Sequence, residues 1–162
     1  MKESKSTKLS KDNRVFELKL PDQRKINPNI KLVFEKCIQK LGFVPNVFRA
    51  YTLRPTKFEH FRQYNSELMV GESGLTKLER EMIAVVVSSV NHCHYCLIAH
   101  SAGVRVLSGD PQLADQLAAN YRAAKLSKRQ LAMLNFAWKL AETPALMTPE
   151  DRKKLKLSGF ND

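Results

Sequence analysis

The chain has 162 residues, 43% of them hydrophobic, with seven prolines and six glycines, the make-up of one globular domain able to bury a core without metal or disulfide staples. Its 27 basic and 16 acidic residues leave a net charge of +11, but the basic groups crowd the two ends (Lys2, Lys5, Lys8, Lys11 and Arg14; Arg152, Lys153, Lys154 and Lys156) and otherwise mix with acids, so no stripe interleaved with aromatics marks a specific nucleic-acid reader. The opening MKESKSTKLSKDNRVFELKL lacks the apolar centre of a secretory signal, Met82–Val87 is too short an apolar run to span a bilayer, and three cysteines make no secreted disulfide framework; a soluble cytoplasmic protein without a membrane partner is expected.

Residues 1–28 read as a polar tail and an extended lead-in around Pro21 and Pro28, followed by a helical domain over 29–162. Ile30, Val33, Phe34, Cys37, Ile38 and Leu41 recur at helical steps until Gly42 stops the pattern. Cys37 belongs to that stripe and reads as a small core residue. The segment from Gly42 to Phe48 reads as a helix stop with apolar packing. Pro55 opens a long helix with Phe58, Phe61, Tyr64 and Leu68 on one side, ending at Gly71. Thr76 and Glu79 form a capping box ahead of Met82–Val87. β-branching alone would allow a buried strand there; the capping box predicts a buried helix. Asp110-Pro111 starts another helix, Ser127 with Gln130 caps one carrying Leu131, Leu134, Trp138 and Ala141, and Thr148-Pro149 starts a last one. Trp138 has the period of a core residue. Five start signals and no convincing hairpin predict an all-α fold.

The chemistry concentrates in NHCHYCLIAH, Asn91–His100, which holds two of the three cysteines and three of the four histidines. A c-type haem site needs histidine directly after the second cysteine, and Leu97 stands there. A zinc site would use Cys93, Cys96 and His100, with His92, His94 or Glu81 as fourth ligand, but no cysteine or histidine follows His100 to supply a second ligand pair. Thiol redox chemistry asks for less. Cys96 and His100 are four apart, hence on one helix face and about 6 Å apart along the axis. Cys93 and Cys96 are within reach of a disulfide if the helix begins near Cys93, and a helix N-terminus there favours thiolate. Asn91-His92 is the expected break, with His92 a surface or helix-break residue; His94 and Tyr95 either line a pocket or pack at the helix start. Were residues 77–107 one straight helix, Glu81 would lie roughly 20 Å from Cys96. A functional Glu81 therefore requires the chain to turn near Asn91, or a neighbouring subunit to supply the contact.

EMIAVVVSSVNHCHYCLIAH fits the pattern E-x11-C-x2-C-x3-H, with Glu81, Cys93, Cys96 and His100 in register. In this the chain resembles the AhpD-like alkylhydroperoxidases of the carboxymuconolactone decarboxylase superfamily. The flanks FEKCIQKLGFVPNVFRAYTLRP, ESGLTKLEREMIAV and NYRAAKLSKRQLAMLNFAWKLAETPALMTPED are similar to its uncharacterised peroxidase-related branch, so the likeness runs from about Phe34 to the C-terminus. The resemblance implies a helical bundle with the CxxC at the start of a central helix, in homo-oligomers. It implies hydroperoxide reduction by a Cys96/Cys93 pair, with His100 and Glu81 as proton relay and a lipoamide- or thioredoxin-like dithiol as reductant, without cofactor or metal. Decarboxylation of carboxymuconolactone, by contrast, does not need a CxxC. Two departures stand out. Well-described AhpD peroxidases carry histidine at the second position between the cysteines, where this chain has Tyr95; His94 is about 100° away around a helix and does not substitute simply. Peroxidase-related proteins also usually continue past the equivalent of LKLSGFND into a further apolar helix, which a chain ending at Asp162 would lack. A disulfide oxidoreductase or redox sensor without peroxidase activity, and a zinc-held interaction protein, are the rival readings.

Overall fold

The computed structural model describes residues 18–22 and 25–161. Most of the expected polar tail, including Lys2, Lys5, Lys8, Lys11 and Arg14, lies outside the described residues, as does Asp162. Among the described residues every regular element is helical, in the predicted all-α class: α1 (Pro28–Leu41), α2 (Asn46–Tyr51), α3 (Pro55–Val70), α4 (Lys77–Val90), α5 (His94–Ser108), α6 (Leu113–Asn120), α7 (Lys128–Glu142) and α8 (Pro149–Leu157). None of these helices is long and apolar enough to cross a membrane. The chain divides into two compact units, residues 1–66 and 67–162.

In the first unit the side chain of Asn27 accepts the N–H of Asn29, Pro28 opens α1, and Gly42 closes it at φ 81°. Glycine reaches that left-handed conformation without the Cβ clash other residues meet. The stretch after it, expected only to stop and pack, forms the short helix α2, because its aromatic side chains gain partners on α3. Phe58 is fully buried, with the rings of Phe34 and Phe48 edge-on at 6.4 and 5.7 Å. Tyr51 stacks on Phe61 at 4.3 Å. Tyr64 and Leu68, expected on the same side of α3, are exposed; at 100° per residue they stand about 120° and 80° from Phe58. Cys37 is half-buried, and burial pushes its thiol pKa up.

The second unit is organised around α4. Met82, Val85 and Val86 are fully buried against Val104 of α5, Leu117 of α6 and Leu134 of α7, and Trp138 packs on this core from its edge. The apolar run is thus a helix buried by its neighbours. Its start is fixed by the predicted capping box: the Glu79 N–H donates to Thr76 Oγ1 at 3.1 Å, and the Thr76 N–H to Glu79 Oε2 at 2.9 Å. Ser127 and Gln130 reproduce that arrangement at α7. Arg80 donates to the carbonyls of Leu68 and Gly71, satisfying groups that the end of α3 leaves open. α6 begins at Leu113 rather than at Pro111. Asp110 Oδ1 takes the N–H groups of Gln112 and Leu113 at 2.8 and 3.3 Å, which holds Pro111-Gln112 as a turn before the helix.

Candidate active site

The sequence break expected near Asn91 is a helix reversal three residues wide. The N–H of Cys93 reaches the carbonyl of Ser88 at 3.0 Å and the N–H of His92 that of Ser89 at 3.1 Å, while His92 itself is left-handed at φ 51°. This is the hydrogen-bond pattern of a Schellman motif, with histidine at the position that glycine commonly holds. Cys93 then serves a second time. It is the N-cap of α5, and its sulfur accepts the N–H of Cys96 at 3.3 Å. One residue therefore both ends α4 and starts α5, and α5 runs back along α4 with Ser101 and Val104 buried.

Because the chain doubles back, residues on either side of the turn meet. Glu81 lies roughly 15 Å down α4 from Asn91, and His100 roughly 10 Å up α5 from Cys93. Glu81 Oε2 and His100 Nδ1 are 2.8 Å apart and both side chains are partly sheltered. The requirement stated for Glu81, a turn near Asn91, is met within one chain. A carboxylate can only accept, so the Nδ1–H of His100 donates to Glu81 Oε2, and Nε2 is the ring nitrogen that this contact leaves unengaged. One turn before His100, Cys96 is joined to Cys93 in a disulfide with Cα atoms 5.3 Å apart. Both cysteines are half-buried, so the bond is sheltered without being sealed. The pair is in the oxidised form of a two-electron couple at a helix N-terminus, the setting that favours thiolate once the bond is opened.

The other two histidines of the Asn91–His100 segment are exposed. His92 is exposed in its turn, as a helix-break residue would be, and His94 is exposed at the first position of α5. Tyr95 is half-exposed between the cysteines. Among the described residues no three His, Cys, Asp or Glu side chains converge as metal ligands would. In the state described, the Cys93 and Cys96 sulfurs are bonded to each other and His100 Nδ1 faces Glu81.

A groove of about 800 Å³ runs along the other side of α4, where Ile83, Val87 and Asn91 face Met133 and Ala137 of α7. Ile83 stands about 160° around α4 from Glu81, so this groove and the Glu81–His100 pair occupy different faces of one helix. The continuous apolar run of α4 gave no sign of it, since a helix buried on several sides reads the same with or without a groove.

The fold has parallels among known proteins. The model of the carboxymuconolactone decarboxylase family matches residues 55–139, which hold α3 to α6, Glu81 and the whole CxxC segment. The chain is similar to the crystal structure of an uncharacterised peroxidase-related protein from Silicibacter sp. TM1040, with 51% identity, 90% of this chain and 76% of that one covered, and a TM-score of 0.85. It is similar also to an uncharacterised peroxidase-related protein from Ralstonia eutropha JMP134, described as an alkylhydroperoxidase AhpD core, with 39% identity, the same 90% and 76% coverage, and a TM-score of 0.84. No curated protein matches the sequence. A family match over more than half of the chain, with two solved structures on the same helical scaffold at 51% and 39% identity, carries the assignment: the chain belongs to the carboxymuconolactone decarboxylase family, in its AhpD-like branch.

Proposed function

We propose that the protein is a thiol-dependent peroxidase that reduces hydroperoxides through Cys96 and Cys93. The observation that carries this reading is the conjunction of a closed Cys93–Cys96 disulfide with a Glu81–His100 pair one turn along the same helix. With the disulfide reduced, Nε2 of His100 takes the proton of Cys96, directly or through one water, and Glu81 stabilises the imidazolium that forms. The Cys96 thiolate attacks the distal peroxide oxygen. The O–O bond breaks, the proton goes to the leaving alkoxide, and an alcohol and a Cys96 sulfenic acid result. The Cys93 thiol displaces the hydroxyl from that sulfenic acid, releasing water and closing the disulfide. A dithiol of the lipoamide or thioredoxin kind then returns two electrons by exchange, becoming a disulfide itself.

Cys96 is assigned the attack because it stands four residues before His100 on α5, whereas Cys93 caps the helix. Cys96→Ser is expected to abolish hydroperoxide consumption. Cys93→Ser is expected to stop after one equivalent with a trappable sulfenic acid at Cys96. Equal loss in both variants without sulfenate would reverse the assignment. An oxidised pair serves disulfide exchange equally well, and fast oxidation by a disulfide with none by hydroperoxide would make the protein an oxidoreductase of that kind. We also read the chain as one protomer of a homo-oligomer. Tyr95, Ile98 and Val106 are 42%, 62% and 83% exposed and fall within about 80° of one another around α5, an apolar strip of the sort a second copy covers.

A further inference from the structure

Gly103 lies in the interior of α5, three residues beyond His100 and on the same face. A glycine there is unfavourable for the helix, since alanine in its place would lose less backbone entropy and shield more of the helix from water. Nothing in the backbone requires it: the residue is an ordinary part of a right-handed helix and carries no positive φ. What occupies the space of its missing side chain is the Glu81 carboxylate. A Cβ at position 103 would come within 2.8 Å of Glu81 Cδ, 2.9 Å of Oε2 and 3.1 Å of Cγ. Oε2 is the same oxygen that meets His100 Nδ1 at 2.8 Å. Carbon does not approach carbon or oxygen so closely, so the substituent and this carboxylate position exclude each other.

From this, and resting on the relay reading above, we propose that Gly103 is a positioning residue for the Glu81–His100 pair. It leaves open the lane across α5 through which the Glu81 side chain reaches the imidazole. The obstructed atoms are the far end of a flexible side chain rather than backbone, so Gly103→Ala displaces the carboxylate and leaves the helices in place. Its consequence is opposite in sign to that of an ordinary packing defect. The α5 helix becomes a better helix while Glu81 loses its grip on His100, and the imidazolium that favours the Cys96 thiolate is weakened.

The test is the rate of alkylation of Cys96 in reduced protein, read peptide by peptide by mass spectrometry so that Cys37 and Cys93 do not contribute, across a pH series. Wild type, Gly103→Ala, Glu81→Ala and the double variant are compared, with thermal melting of each. Gly103→Ala is expected to slow Cys96 alkylation near neutral pH by about tenfold, the equivalent of one unit of thiol acidity, to move the profile towards higher pH, and to melt no lower than wild type. In the Glu81→Ala background, where the obstructed atoms are gone, Gly103→Ala is expected to change nothing further. A wild-type profile for Gly103→Ala alongside a slowed Glu81→Ala would overturn the proposal, as would a Gly103→Ala effect that persists without Glu81. If Glu81→Ala itself leaves the profile untouched, the relay reading is what fails, and the role of Gly103 falls with it.

Discussion

His92 holds φ 51°, a region that costs an ordinary L-residue about 1–2 kcal/mol because Cβ crowds the following carbonyl. Only there do both hydrogen bonds of the reversal form, from His92 N–H and from Cys93 N–H, and only through that reversal does α5 return to Glu81. The cost sits where the site needs it. His92→Gly is expected to leave the turn intact and stabilise the protein by about 1 kcal/mol, and the β-branched His92→Val to destabilise it by about 1–2 kcal/mol, both measured by urea unfolding of reduced protein. Identical stability of the two variants would mean that the turn does not hold this residue left-handed in solution. In the sequence the break was legible as Asn91-His92, but its direction was not. A Schellman turn is usually announced by glycine, and histidine in that place carries no such signal. For the same reason the neighbourhood of Glu81 hung on a turn whose geometry the sequence left open.

Between elements, an ion pair joins α8 to α7. Lys139 Nζ donates to Asp151 Oδ2 at 2.6 Å, and the N–H and hydroxyl of Thr148 reach the same oxygen at 2.8 and 2.9 Å. The Lys139 ammonium, followed by the Thr148 donors, holds the Asp151 carboxyl at about 2 against its ordinary 3.8. A carboxyl more acidic when folded than unfolded stabilises the protein above the unfolded value, and that contribution is lost as pH falls through the folded one. The melting-temperature gap between wild type and Asp151→Asn should therefore be full above about pH 5, shrink on acidification from 3.8 towards 2, and vanish below it. A gap independent of pH would show that the substitution acts through hydrogen-bond geometry rather than through charge. The capping boxes at Thr76 and Ser127 were legible because a cap is a local contract between residues three apart. α2 was not, because its support is Phe58 and Phe61 on α3, a tertiary cause that a local pattern does not carry.

Across the whole molecule, net charge and fold answer different questions. The charge of +11 bears on solubility and on encounters with anionic partners and says nothing about which helices form. The fold follows from apolar periodicity and caps, and all-α architecture was readable from these alone. The Cys93, Cys96 and His100 spacing was equally readable, since three ligating or nucleophilic groups at i, i+3 and i+7 on one helix need no tertiary information to be neighbours. Glu81 needed the reversal at His92. Gly103 gave no sequence signal beyond its cost to a helix, because its use is the space it leaves.

The central claim is that Cys93 and Cys96 consume hydroperoxide, and the most direct measurement is the intact mass of fully reduced, metal-free protein before and seconds after one equivalent of an organic hydroperoxide. A peroxidase of this kind loses about two daltons quickly, mapped by proteolysis to a Cys93–Cys96 bridge and absent in Cys96→Ser. An unchanged mass after minutes would contradict it, and would leave exchange with a partner disulfide as the chemistry of this pair.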